Sequence, residues 1–314
     1  MDESNSRAGD AGRPDGARAP KALTIAGVDP SGGAGVLADV KAFSALGAYG
    51  CAVICALTAQ NTRAVTGIHA PPPDFIRLQL DTLFADVAID AAKIGMLGTA
   101  EVARAVADGL AAPIASGELH HRVLDPVMVA KSGDSLLEQS AVRMLVEAVV
   151  PLATVITPNL PEAGVLLGGR APDNVAEMRR AAERLRRLMA DDGERWVLVK
   201  GGHLPGDAVD VLHDGDRMLE LPSPRIQTRN SHGTGCTLSA AIAALLPQSP
   251  DVATAVRRAK RYLDGALGAA DSLAIGRTAG SAGKSRSGCG ARGAVSSSSS
   301  GWAMRCAMAT ASTP

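Results

Sequence analysis

Short apolar runs alternate with longer stretches of helical spacing from residue 21 onward. Runs at 22–26, 52–57, 91–94, 122–125, 154–157 and 196–200 are built from Val, Ile, Leu and Ala and read as strands. Between them, apolar positions recur every three to four residues at 36–46, 74–84, about 100–109, 140–149 and 175–190, which predicts helices. The last of these carries Arg179, Arg180, Arg184, Arg186 and Arg187 as a basic outer face. Continuously apolar strands alternating with helices belong to a mainly parallel sheet covered on both faces. The pattern changes near 209–221. There, two alternating segments flank His213-Asp214-Gly215-Asp216 and predict a β-hairpin with an Asp-Gly turn. The expected fold is therefore α/β, with a mainly parallel central sheet, helices on both faces and an antiparallel edge hairpin.

The polar and glycine-rich tracts follow the strand ends. They are Gly27-Val28-Asp29-Pro30-Ser31-Gly32-Gly33-Ala34-Gly35, Thr58-Ala59-Gln60-Asn61, Gly95-Met96, Asp125-Pro126, Pro158-Asn159 and Lys200-Gly201-Gly202. In open α/β sheets, ligands bind beyond the carboxyl ends of the strands. Six tracts converging on that one edge predict a single site there.

Composition narrows what the site can serve. The 314 residues carry a formal net charge of zero and only three Phe, two Tyr and two Trp. A balanced charge gives no footprint for nucleic acid or an anionic membrane, and so few aromatics cannot build a base-stacking platform. No apolar run has the length of a membrane span. The five cysteines are odd in number and form no Cys-x-x-Cys pair, which points to a reducing, cytoplasmic setting. Residues 1–20 mix small, polar and charged types and are expected to form a disordered leader. The alternating α/β pattern covers 21–276. Residues 277–314 are rich in Gly, Ser, Ala and Arg and are expected to form a disordered tail.

The densest chemistry lies in Ser231-His232-Gly233-Thr234-Gly235-Cys236-Thr237, which precedes a run of small apolar residues. A loop entering a helix through two glycines exposes bare N–H groups at the positive end of the helix dipole, where an anion can approach. Cys236 falls in the first turn, where that field is expected to lower its pKa and fit it to take a proton. The plain alternative is a structural helix start with a buried thiol. Gly32-Gly33-Ala34-Gly35 reads either as a tight strand-to-helix turn or as a backbone wall against a flat ligand, with Asp39 one turn further on. Asn159-Leu160-Pro161-Glu162 reads either as a helix cap or as a pair holding Mg²⁺ through water, with Asp125 as a second carboxylate. Lys200 can reach phosphates as a point charge. His203 and His232 read as solvated loop histidines. Gly283-Lys284-Ser285 lacks the earlier glycine and the strand that a phosphate-binding loop needs.

These tracts, in this order, resemble the hydroxymethylpyrimidine and phosphomethylpyrimidine kinases of thiamine biosynthesis. The resemblance runs over about 21–275. It includes Lys93-Ile94-Gly95-Met96-Leu97, Asp125-Pro126-Val127-Met128 with Lys131-Ser132-Gly133, and Thr157 to Ala163. It implies a ribokinase-like fold and two ATP-dependent phosphorylations, of 4-amino-5-hydroxymethyl-2-methylpyrimidine and then of its monophosphate. By position, Gln60 and Asp39 would meet the aminopyrimidine edge, while Gly27, Ala34, Met96 and Val127 shape the slot around the ring. Lys200, Asn159 and Thr234 would serve the nucleotide, with Glu162, Asn159 and Asp125 at the magnesium. Gly233, Thr234, Gly235 and Cys236 would form the catalytic anion hole together with Lys200. ATP and Mg²⁺ are the implied cofactors, a small aminopyrimidine alcohol the partner, and a homodimer the expected assembly. Pyridoxal kinases share the fold and the ring-binding logic and remain the enzymatic alternative; a non-catalytic pyrimidine-binding protein is the other.

Overall fold

The structure is a computed structural model that describes residues 18–62, 64–128, 138–202, 204, 208–223, 225–226 and 232–270. The expected tail, the Gly283-Lys284-Ser285 segment, His203, Lys131-Ser132-Gly133 and most of the expected leader lie outside the described residues. Arg18 pairs with Asp90, and the Pro20 carbonyl accepts from the Tyr49 amide at 2.8 Å.

In chain order the elements are β1 (Lys21–Val28), α1 (Gly35–Ala45), β2 (Tyr49–Gln60), β3 (Val65–His69), α2 (Pro73–Phe84), β4 (Ala91–Ile94) and α3 (Ala100–Ala115). Then follow β5 (His121–Leu124), α4 (Gln139–Met144), β6 (Val155–Ile156), α5 (Leu160–Leu166), α6 (Val175–Arg186) and β7 (Trp196–Val199). The chain closes with β8 (Ala208–His213), β9 (Met218–Ser223), α7 (Thr234–Leu245) and α8 (Val252–Ala269). The sheet runs β3-β2-β1-β4-β5-β6-β7-β8-β9. Strands β2, β1, β4, β5, β6 and β7 are parallel. Strand β3 joins one edge antiparallel, and β8 and β9 form the expected hairpin at the other. The parallel strands therefore end on one side, and the polar tracts gather there.

Side-chain alternation sorts the sheet into two cores. Leu23, Ile25, Ala92, Ile94, Leu124, Ile156, Val197 and Val199 face α2, α3, α5 and α6. Ala22, Ala91, Val123, Val155, Trp196 and Leu198 face α1, α7 and α8. Helix α7 is buried from Leu238 through Leu245, which explains its apolar, small-residue composition. Thr24 and Lys93 share the alternation of Ala22 and Ala91, so they point into this second core. There the Lys93 ammonium meets Asp39 Oδ2 of α1 at 2.8 Å, with both side chains wholly buried.

Several differences from the sequence pattern have local causes. The helix expected to stop near 109 continues to Ala115, with Pro113 inside it. Gly109 does not end it; a Cβ there would lie 2.5 Å from Leu80 Cδ1, so this glycine lets α2 and α3 approach closely. The helix expected over 140–149 changes after Met144 to a π turn, Leu145–Val149. Strand β3 escaped notice because its residues are mostly exposed and carry little apolar alternation. Helix α8 had no counterpart in the pattern reading. Its buried face is largely Ala and Val, and Asp251 caps it through the Thr254 amide at 2.7 Å.

The Lys93–Asp39 pair gives a test. Removing one partner of a buried pair leaves an uncompensated charge, at about 3–5 kcal/mol. Lys93→Met is expected to lower unfolding stability by that order, measured from urea midpoints. The double variant Lys93→Met, Asp39→Leu is expected to recover most of the loss.

Candidate active site

The loop after β1 folds back on its own strand. Gly35 opens α1 with φ of 57°, and Val28 bridges to it. A Cβ on Gly35 would stand 2.2 Å from the Gly27 carbonyl oxygen. One on Gly27 would meet Met96 Cε at 2.7 Å. Gly27 and Met96 therefore press against each other. Asp29 organises the rest of the loop. Its carboxylate accepts from the Ser31 amide and hydroxyl at 2.8 and 2.9 Å and from the Ala34 amide at 3.1 Å. His232 Nε2 lies 2.8 Å from the same carboxylate, so His232 is a strut between two loops rather than a solvated histidine. Burial alone would raise the Asp29 carboxyl, but the hydrogen bonds from His232 and Ser31 outweigh it and hold it below its ordinary range.

The second loop arrives at the same place. Gly233 caps α7 in the left-handed conformation, φ 75°. A Cβ there would fall 1.7 Å from the Gly33 carbonyl oxygen. The two glycine turns thus touch backbone to backbone. Thr234, Gly235 and Cys236 form the first turn of α7, whose opening amides lack intrahelical acceptors.

Beside that turn stands a charged cluster. Lys200 Nζ is 2.9 Å from Asp125 Oδ1 and 4.0 Å from Glu162 Oε2. It is also 3.2 Å from where a Gly235 Cβ would be. Burial favours a neutral lysine here, but Asp125 and Glu162 outweigh it and raise the Lys200 pKa. Burial drives Glu162 up to about 7, with Lys200 opposing and Asp125 adding to the rise. Asn159 and Glu162 form a reciprocal capping box on α5. The Asn159 amide donates to Glu162 Oε2 at 2.8 Å, and the Glu162 amide donates to Asn159 Oδ1 at 2.9 Å. The helix-cap reading of this motif is therefore realised, and it leaves Glu162 facing Lys200.

Asp125 takes a different place from the one expected. Rather than presenting open ligand oxygens, it is buried and already satisfied by Lys200, by Thr157 at 3.2 Å and by Ser239 at 3.2 Å. Burial would raise it, yet Lys200 and Lys93 hold it below the usual carboxylate range. It anchors Lys200. Among the described residues, no group of three or more His, Cys, Asp or Glu could hold a metal ion. Magnesium needs no such group, since it keeps several waters and takes one or two carboxylates beside phosphate oxygens.

Two further expectations are corrected. Asp39 is wholly buried, and its Oδ2 is taken by Lys93 and by the Thr24 hydroxyl at 2.6 Å. It is turned inward, and its Oδ1 meets no donor among the described residues. Cys236 was expected to be acidified by the helix end. Burial instead pushes its thiol up to about 11, with Lys93 pulling the other way and Asp39 and Asp125 adding to the rise. Desolvation wins over Lys93, and the neighbouring carboxylates disfavour the thiolate further. Gln60 closes β2, and its Oε1 lies 3.0 Å from the Thr58 hydroxyl, which itself reaches the Val28 carbonyl at 2.8 Å. Gln60 is thereby tied to the end of β1. Val127 leaves β5 half-exposed, its amide bonded to the Asp125 carbonyl at 2.8 Å. Lys93, Thr157 and Ser239 carried no assigned role in the sequence reading; the signal for Lys93 was a charge inside the apolar strand Ala91-Ala92-Lys93-Ile94.

The phosphomethylpyrimidine kinase family model matches residues 29–283. A hydroxymethylpyrimidine/phosphomethylpyrimidine kinase of Rhizobium meliloti is 51% identical over 257 residues, covering 82% of this chain and 93% of that protein. The crystal structure of a phosphomethylpyrimidine kinase from Clostridium difficile 630 matches with a TM-score of 0.68 at 38% identity, over 79% of this chain and 99% of that one. A Bacillus subtilis pyridoxal kinase, solved as an ADP complex, gives 0.72 at 38% identity, over 80% and 92%. With the glycine turns, the lysine and the capped carboxylate in the order that the sequence tracts set out, the chain belongs to the phosphomethylpyrimidine kinase family.

Proposed function

We propose that this chain transfers phosphoryl groups from ATP, first to the hydroxymethyl oxygen of 4-amino-5-hydroxymethyl-2-methylpyrimidine and then to the resulting monophosphate. The observation that carries this reading is the meeting of Lys200 with the first turn of α7. A fixed cation beside the positive end of a helix suits the charge that spreads over a migrating phosphoryl group. Gly233, Thr234, Gly235 and Cys236 supply the backbone cradle, and Lys200 the point charge, kept in place by Asp125. Asn159 and Glu162 face the phosphate side, where Mg²⁺ bound through water would neutralise phosphate charge. Gln60 hydrogen-bonds the aminopyrimidine edge, while Gly27, Ala34, Met96 and Val127 bound the ring. The curated relative at 51% identity favours the pyrimidine over pyridoxal, to whose kinases the likeness is lower in sequence.

Cys236 receives the alcohol's proton in this scheme. Phosphoryl transfer leans mainly on positioning and charge stabilisation, so a scarce base suffices. A free thiol also suits a reducing compartment, and the cytoplasm is the proposed setting. The proposed assembly is a homodimer. Its support is the edge formed by β2, β3 and α2, where Tyr49, Leu57, Ile68, Phe75 and Leu78 are large, apolar and exposed.

Three measurements test these readings. An ATP-coupled assay that follows mono- and diphosphate products separately is expected to show both, with kcat/KM for the pyrimidine at least about tenfold above that for pyridoxal. The reverse preference overturns the substrate assignment. For a thiol near 11, the thiolate fraction grows with pH throughout the neutral range. So kcat/KM is expected to rise roughly tenfold per unit from pH 7 to 9, whereas Cys236→Asp gives a flat profile there and loses less activity than Cys236→Ala. A flat wild-type profile removes the thiolate from the chemistry. Sedimentation equilibrium is expected to give twice the 31.9 kDa chain mass, and Phe75→Glu with Leu78→Glu to give the monomer.

A further inference from the structure

Asp210 interrupts an otherwise apolar strand, Ala208-Val209-Asp210-Val211-Leu212. It shares the alternation of Leu212, which lies in the core against α7 and α8, so its carboxylate points under α8 and is nearly inaccessible. Two partners hold it there. Oδ2 takes the ammonium of Lys260 from α8, itself mostly buried. Oδ1 accepts from the Gly201 amide at 2.8 Å. The last paired residues of β7 and β8 are Val199 and Val211. One step further along that register stand Lys200 and Asp210. As β7 ends, the Asp210 carboxylate thus supplies the acceptor that the next backbone amide requires.

The surroundings leave this turn little freedom. A Cβ on Gly201 would come 1.9 Å from the Val209 carbonyl oxygen, so the backbone is pressed against β8. The Lys200 amide donates to the Pro158 carbonyl at 2.9 Å, and Lys200 bridges to Asn159. The residue immediately before Gly201 carries the cation of the phosphate site. A buried ion pair is weak evidence for stability, since apolar residues of similar size often serve as well. Its geometry here does something an apolar pair cannot: it orients the amide next to Lys200.

We propose that Asp210 and Lys260 are positioning residues for Lys200, so that helix α8, through Gly201, sets where the lysine ammonium meets the nucleotide phosphates. This rests on Lys200 serving the nucleotide, as argued above. An error on the order of 1 Å in a positioned group can cost about a hundredfold in rate. A smaller shift, tethered also at Pro158 and Asp125, is expected to raise KM for ATP about tenfold.

Steady-state kinetics with both substrates varied, together with thermal melts, test it on the full chain. Asp210→Asn and Lys260→Met are each expected to raise KM for ATP about tenfold, with KM for the pyrimidine within about twofold. Lys260→Arg, which keeps the charge, is expected to restore most of the ATP affinity. ATP affinity unchanged in folded Asp210→Asn and Lys260→Met proteins overturns the inference. So does an equal rise in both KM values, or a lowered melting temperature with no selective effect on ATP. Lys200→Met is the control for the underlying reading: unchanged KM for ATP in that variant removes Lys200 from the nucleotide site. A rise in Lys200→Met without one in the other two leaves Lys200 in place and rejects the positioning role.

Discussion

Two helix starts share one point of space, and only glycine backbone fits between them. Gly233 approaches the Gly33 carbonyl so closely that any side chain would overlap it, and Gly35 does the same to Gly27. Both Gly233 and Gly35 adopt positive φ, which L side chains rarely accept. The consequence is geometric. The openings of α1 and α7 face the same small volume at the carboxyl end of the sheet, and His232 with Asp29 ties the two loops together. The small residues of α7 follow from this contact, because a helix drawn so close to the strands must run fully buried over them.

The charges around that volume are layered by depth. Deepest lie Lys93 and Asp39, sealed between the sheet and α1. Above them Asp125 shares its oxygens among Lys200, Thr157 and Ser239. Glu162 is next, with a carboxyl lifted to about 7 by burial and only partly offset by Lys200. Each carboxylate is thereby matched to a cation or a hydroxyl, as burial demands. Cys236 sits among these groups. Burial, with Asp39 and Asp125 adding to it, explains why the helix end does not acidify it.

Much of this was legible along the chain. Strand β4 matched its apolar run, the hairpin its Asp-Gly turn, and the polar tracts their common edge. Asn159 and Glu162 announced a helix cap by their spacing, and the glycine-rich segments announced close approach. What escaped depends on three-dimensional neighbours. The raised pKa of the Cys236 thiol comes from burial, opposed by Lys93 and reinforced by Asp39 and Asp125, which are distant in sequence. Asp125 offered a carboxylate, but nothing local said that Lys200, Thr157 and Ser239 would saturate it. Asp39 stood one turn along α1, and only the position of Lys93 decides that it turns inward. The end of α3 at Ala115 rather than near 109 was not legible, because a packing glycine and a terminating glycine are the same letter.

The capping box on α5 has a further implication. One oxygen of Glu162 both fixes the Asn159 amide and stands 4.0 Å from the Lys200 ammonium. The helix start and the charge beside Lys200 thus share a single atom. Removing this carboxylate would therefore disturb the start of α5 and the surroundings of Lys200 together.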